Sequence, residues 1–271
     1  MDRRPIGVFD SGLGGLTAVR ELQRLLPGED IIYFGDTGRV PYGGRSRETI
    51  IKYARQDVAF LCTFDLKAIV IACGTVSTTA LDVLTAENDI PIWGVVEPAA
   101  QAAARSTRNK RVGLIGTQAT IRSGAYEARI ARTDPSIRVL SAACPLFVPL
   151  VENGRFRPGD LVAETVAAEY LEPFRSAGVD TLVLGCTHYP LLTDIVAAYM
   201  GPGVALVNVG ERCAAAVAVR LGELGLLAPA DRAGESRYFV SDSVEGFSNL
   251  ASIFLQRDVA EQVTQVDIWG Y

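Results

Sequence analysis

The chain has 271 residues, 49% of them hydrophobic and 21% charged, a balance that excludes a disordered polymer and supplies a sizeable core. Its net charge is −5 and no basic stretch dominates, which sets nucleic acid aside as a partner. One histidine and five widely spaced cysteines, with no C-x-x-C, argue against a metal site and against a disulfide framework.

Taken in chain order, short apolar runs alternate with longer helical patterns. A strand over Ile6–Asp10 leads through the turn F-D-S-G-L-G-G into a helix over Leu16–Leu26. The strand Asp30–Gly35 is followed by the turn-rich loop G-D-T-G-R-V-P-Y-G (Gly35–Gly43) and a helix over Arg47–Phe64. Ala68–Ala72 reads as a strand that ends at Cys73, before a helix over Ser77–Ala86. Next come the strand Ile92–Val95 and the helix Pro98–Ser106. Val112–Ile115, Ile137–Leu140, Thr181–Leu184 and Ala205–Val209 are further strands. Their helices lie at Tyr126–Thr133, Asp160–Ala177, Leu191–Tyr199 and Glu211–Leu221. Strand-like stretches at Tyr238–Val240 and Val263–Trp269 are expected to pack back on the first half.

Near-continuous apolar strands alternating with helices predict an α/β fold with mainly parallel sheets, covered on both faces. Ligands in such folds sit beyond the carboxyl ends of the strands. The pattern also echoes itself there. A-I-V-I-A-C-G-T, ending at Thr75, resembles T-L-V-L-G-C-T-H, ending at His188, and I-G-V-F-D-S-G resembles V-G-L-I-G-T-Q. Two halves of similar plan, each contributing one strand-end cysteine, would account for the echoes, though α/β strands also resemble one another in general. No apolar run spans a bilayer and Met1–Asp10 lacks the stretch of a secretory signal, so no membrane partner and a cytoplasmic location are expected.

The strand ends carry the chemistry. Gly12 and Gly14 begin a G-x-G-x-x-G pattern, but Thr17 stands at the third glycine and Asp10 would repel a pyrophosphate. A nicotinamide cofactor is therefore disfavoured. Asp10 reads either as a helix cap or as a carboxylate held at a strand end. In the following loop Asp36, Arg39 and Tyr42 form a polar lining, in which Arg39 either grips a carboxylate ligand or pairs with an acid of its own chain. Cys186 has the only imidazole, His188, two residues away, and imidazole is the usual proton-handling partner of a thiol. A Cys–His hydrolase would use that pair but leave Cys73 idle. A redox pair would use two cysteines but not the polar collar. Two thiols facing each other across one pocket explain more: one takes a proton from a carbon while the other delivers one to the opposite face.

F-D-S-G-L-G-G, G-D-T-G-R-V-P-Y-G, the A-C-G-T strand end, F-V-P-L-V-E-N-G (Phe147–Gly154) and G-C-T-H-Y-P together resemble the glutamate racemases, with relatives among aspartate and hydantoin racemases. The resemblance runs in order over most of the chain. It implies a cofactor-independent isomerase that interconverts L- and D-glutamate and supplies D-glutamate for peptidoglycan synthesis and cell shape. It further implies that Cys73 takes the α-proton of D-glutamate and Cys186 that of L-glutamate. Asp10 would assist Cys73, and His188 and Glu152 would assist Cys186. Substrate contacts would come from Asp10, Ser11, Pro41, Tyr42, Gly43, Gly74, Thr75, Thr117, Thr187 and His188. A homodimer is implied as well, and so are two doubly wound, pseudo-symmetric α/β domains with the site between them: the chain crosses near residue 97 and returns near 210, giving a first domain of 1–97 plus 210–271 and a second of 98–209. One residue departs from the pattern: the family more often has Asn, which touches substrate, where this chain has Gly74. The alternatives are an aspartate racemase and a non-catalytic binder of acidic amino acids.

Overall fold

The computed structural model describes every residue except Ala230. Its first part runs β1 (Ile6–Asp10), α1 (Leu16–Leu25), β2 (Ile31–Gly35), α2 (Arg47–Leu61), β3 (Ala68–Ile71), α3 (Gly74–Thr79), α4 (Leu81–Glu87), β4 (Ile92–Gly94) and α5 (Val96–Ser106). The chain then forms β5 (Arg111–Gly116), α6 (Gln118–Ser123), α7 (Ala125–Thr133), β6 (Arg138–Ala143), α8 (Phe147–Glu152), α9 (Leu161–Ser176), β7 (Thr181–Leu184), α10 (Thr193–Met200), β8 (Ala205–Asn208) and α11 (Val209–Glu223). It closes with β9 (Ser236–Val240), α12 (Val244–Leu255) and β10 (Val263–Gln265).

These strands make two sheets, ordered β10-β9-β2-β1-β3-β4 and β6-β5-β7-β8, and all their pairings are parallel. The order β2-β1-β3-β4 of the first reappears as β6-β5-β7-β8 in the second. The sequence echoes thus fall on equivalent strands, β1 with β5 and β3 with β7. The fold is α/β with two pseudo-symmetric units, and β9 and β10 extend the first sheet beyond β2.

Alternation along the strands divides the core. Ile6, Val8, Ile31, Tyr33, Ala68 and Val70 join Leu16, Val19 and Leu22 of α1 on one face. Phe9, Ile32, Phe34, Ile69 and Ile71 join Ile50, Ala54, Val58 and Leu61 of α2 on the other. All are buried, as parallel strands covered on both sides require. Each such large aliphatic side chain contributes about 1.5–3 kcal/mol on leaving water.

Several boundaries differ from the sequence reading for local reasons. The helix expected over Ser77–Ala86 is two helices, broken at Ala80, whose φ is −123°. The run Val263–Trp269 is a strand for three residues only and then turns into a 3-10 segment, Ile268–Gly270. Leu191–Tyr199 begins as a 3-10 turn at Tyr189, because Pro190 supplies no N–H. Three helices were not anticipated. In α8, Pro149 masked the helix, though it stands in the first turn, where proline is tolerated. In α12, Gly246, Ser248 and Asn249 weaken propensity, yet Val244, Phe247, Ala251 and Phe254 keep helical spacing and Ser243 caps the start. α6 is only six residues long.

Candidate active site

The carboxyl ends of β1, β3, β5 and β7 meet where the two sheets face each other, around a cavity of about 380 Å³. Cys73 and Cys186, which follow β3 and β7, both line it. A roomier open groove of about 890 Å³, beside Gln23, Glu29 and Arg257, contains no cysteine or histidine.

On the first side, Cys73 is the N-cap residue of α3 and is buried. The Ser11 hydroxyl lies 3.2 Å from its sulfur. Burial, then the charge of Asp10, pushes the Cys73 thiol up to about 12, against the opposing hydrogen bond of Ser11. Asp10 itself is buried and accepts a hydrogen bond from the Gly15 N–H at 3.0 Å. Burial raises its pKa above the ordinary carboxylate value, and the positive field of His188 works the other way. Asp10 is not the N-cap of α1, a position held by Gly15, but it does bind that residue's amide.

On the second side, Cys186 Sγ lies 3.8 Å from His188 Nδ1, and His188 Nε2 lies 3.0 Å from Glu152 Oε1. The three form a chain from thiol through imidazole to carboxylate. Burial by itself lowers the imidazole pKa, but the bonds to Cys186 and Glu152 override it and push His188 up to about 10. His188 is therefore an imidazolium at neutral pH. Phe254 of α12 packs edge-on against its ring with centroids 5.6 Å apart.

Across the seam, the hydroxyls of Thr75 and Thr117 meet at 3.0 Å, and Thr117 continues to Thr120 at 3.0 Å. Thr17 donates to the Thr187 carbonyl at 2.9 Å. Gly14 has no room for a side chain: a Cβ there would run into the His188 ring and the Thr187 hydroxyl. Glycine at position 14 of the F-D-S-G-L-G-G turn thus lets the second unit's Thr187–His188 turn rest against it.

Pro41, Tyr42 and Gly43 form one wall of the cavity. Behind them, Arg39 donates to Asp36 at 2.6 Å, to Asp57 at 2.7 Å and to Gln56 at 2.5 Å. The Tyr42 hydroxyl donates to Asp36 and reaches Asp57 at 3.2 Å. Ser241 donates to the other Asp36 oxygen at 2.7 Å. Tyr53 and Trp269 flank the guanidinium, whose carbon lies 4.3 and 5.3 Å from their ring centroids. Arg39 is consequently a buried structural cation that pairs with acids of its own chain. Burial, then the charge of Asp36, raises Asp57 well above the usual carboxylate value, and the Arg39 charge opposes that rise. Arg39→Ala is expected to cost about 3–5 kcal/mol of stability, measured by urea unfolding at pH 7, because it strands two buried carboxylates. The deficit should shrink in acid. The guanidinium is the charge that holds the raised Asp57 pKa down, so without it the folded state gains a proton relative to the unfolded chain as pH falls. A loss independent of pH would contradict this account.

Every residue expected to touch substrate lines this one cavity: Asp10, Ser11, Pro41, Tyr42, Gly43, Gly74, Thr75, Thr117, Thr187 and His188, together with Glu152. Cys144, Val148 and Gln118 also line it and were not singled out. For Cys144 a signal existed: it follows β6, the equivalent of β2, and occupies the place that Asp36 holds in the first unit. Its amide donates to Gly116 as that of Asp36 does to Asp10.

Two thiols that follow equivalent strands of a pseudo-symmetric α/β fold thus line one cavity, Cys73 beside Asp10 and Cys186 beside the His188–Glu152 pair. Residues 6–235 match the family model for Asp/Glu/Hydantoin racemase, and the chain belongs to that family. Within it, the chain is 49% identical to the glutamate racemase of Geobacter metallireducens over 255 residues, 94% of each chain. The crystal structure of a glutamate racemase isoform from Bacillus anthracis superposes with a TM-score of 0.93 at 37% identity, covering 98% of both chains. That of the Francisella tularensis glutamate racemase in complex with D-glutamate gives 0.91 at 39% identity over 100% of both. These relatives place the chain in the glutamate racemase branch, a group of isomerases. Among the described residues no helix is long and apolar enough to cross a membrane.

Proposed function

We propose that the protein is a cofactor-independent racemase that interconverts L- and D-glutamate by 1,1-proton transfer between Cys73 and Cys186. One observation carries the reading: the two thiols follow equivalent strands, β3 and β7, and line a single cavity from its two sides. For L-glutamate, the Cys186 thiolate takes the α-proton; the C–H pair moves into the carboxylate as an enediolate, and S–H forms. The Cys73 thiol then protonates the opposite face and is left as thiolate. D-glutamate retraces the path.

The groups around each sulfur suit these roles. A Cys73 thiol pushed up to about 12 rests protonated, ready to donate. Imidazolium His188, 3.8 Å from Cys186, is the electrostatic partner of a thiolate there. Each turnover exchanges the two protonation states, and Asp10 on one side and the His188–Glu152 pair on the other are placed to restore them. The difficulty is the weak acidity of the α-carbon without a cofactor to delocalise the charge. Preorganised donors, the hydroxyls of Ser11, Thr75, Thr117 and Thr187, supply the stabilisation of the developing enediolate. The substrate ammonium adds a positive charge between the sulfurs.

The same reading takes 1–97 plus 210–271 and 98–209 as the two domains that close on substrate. It extends, on family resemblance, to a cytoplasmic homodimer that supplies D-glutamate for peptidoglycan and cell shape. The direct test is proton NMR of L- and D-glutamate with the protein in D2O, with aspartate as control and no added cofactor. Loss of the Cα–H signal with appearance of the other enantiomer is expected for glutamate alone. Exchange of aspartate instead would make this an aspartate racemase. Exchange of neither would reject racemisation and favour a binding role.

A further inference from the structure

We propose that Gly74 is the positioning residue that sets how closely the two cysteine-bearing strand ends approach each other. The inference rests on the two-cysteine reading. Gly74 follows Cys73 and Gly185 precedes Cys186, and these two glycines face each other across the seam. A Cβ built on Gly74 would lie 2.6 Å from the Gly185 carbonyl oxygen, about 0.8 Å inside ordinary van der Waals contact at 3.4 Å. Its next neighbour, the Thr120 hydroxyl at 3.6 Å, imposes no limit.

Gly185 is itself held to its own sheet. Gly185 donates to the Ile115 carbonyl at 2.8 Å, and a Cβ on Gly185 would lie 2.7 Å from that same oxygen. Neither glycine therefore has room for a Cβ: Gly74 against Gly185, and Gly185 against β5. A side chain at position 74 requires a backbone shift on one side of the seam. That displacement acts on the Cys73–Cys186 spacing, because each cysteine is covalently next to one of the glycines.

Proton transfer is steep in distance, and a misplacement of about 1 Å costs on the order of 10²-fold. With the strand ends apart, one sulfur can still follow the α-carbon while the other loses the opposite face. Removal and return of a proton on one face then outlasts inversion. Gly74→Ala is expected to lower kcat for inversion about 10- to 100-fold with KM changed less than about 3-fold. In D2O, Cα–H exchange without inversion should rise relative to inversion, for at least one enantiomer. Gly74→Asn should move the ratio further in the same direction. Thermal melting and circular dichroism of both variants accompany the kinetics. An unchanged ratio with unchanged kcat overturns the inference. So does a parallel loss of exchange and inversion, which signals general damage, or a failure of both variants to fold, which makes the contact a folding requirement. A wild-type protein that exchanges no Cα–H fails at the two-cysteine reading itself, an outcome distinct from all of these.

Discussion

Cys73→Ser is expected to lower racemisation by about 10³-fold or more, since one acid–base partner is worth about 10²–10⁴-fold and a serine hydroxyl is a far poorer one. The loss must appear equally in both directions when expressed as kcat/KM. L- and D-glutamate are mirror images of equal free energy, so the ratio of the two kcat/KM values is fixed at one for any variant. Steady-state rates therefore cannot tell which sulfur serves which enantiomer. Solvent exchange can. With Cys73 gone, Cys186 still removes the α-proton of L-glutamate and returns a deuteron to the same face, so L-glutamate should lose its Cα–H signal without inverting. D-glutamate should remain unlabelled. Cys186→Ser should give the mirror result. If either variant labels both enantiomers, or neither, the assignment of the two sulfurs to opposite faces fails. A Cys–His hydrolase makes a different prediction, indifference to Cys73.

Much of this site was legible in the sequence because a parallel sheet delivers functional residues at a predictable place. Asp10, Cys73, Thr117 and Cys186 all follow apolar strand runs, and the repeat of the pattern pointed to two facing units. What stayed hidden depends on contacts between distant elements. Whether Arg39 grips a ligand or an acid of its own was undecidable from its loop, because one of its partners, Asp57, lies in the middle of α2. Phe254 reaches the His188 ring from α12, an element that the sequence reading missed. The Gly74 departure was visible at once, yet its meaning required the Gly185 carbonyl, 111 positions further along the chain. Glycine at a strand end says only that space is short; the neighbour that takes the space is a property of tertiary packing.

Glu152→Gln is expected to shift the alkaline limb of the pH profile for L-glutamate turnover to lower pH by about one unit or more, the usual effect of losing one close opposite charge. The direction follows from His188. Its folded pKa of about 10 lies above the ordinary 6.5, because hydrogen bonds to Cys186 and Glu152 outweigh the opposing effect of burial. A reaction that uses the imidazolium beside Cys186 proceeds through neutral pH and fails as pH rises through the folded value. Glutamine at 152 keeps the shape and a hydrogen-bonding oxygen but removes the negative charge, so the proton is lost earlier. Stability should change in the same sense. A group with a raised folded pKa contributes fully below the unfolded value of 6.5 and loses that contribution as pH rises toward 10. Urea unfolding at pH 6 and pH 9 should therefore show a fall for the wild type, and the variant's fall should be smaller because its His188 pKa is closer to 6.5. Rates for L-glutamate between pH 6 and pH 10.5 supply the kinetic half of the test. If the alkaline limb stays where it is while overall activity drops, Glu152 only holds the imidazole in place and does not charge it. A limb that moves together with the pH dependence of unfolding ties the carboxylate to the protonation state of His188, and through it to the sulfur 3.8 Å away.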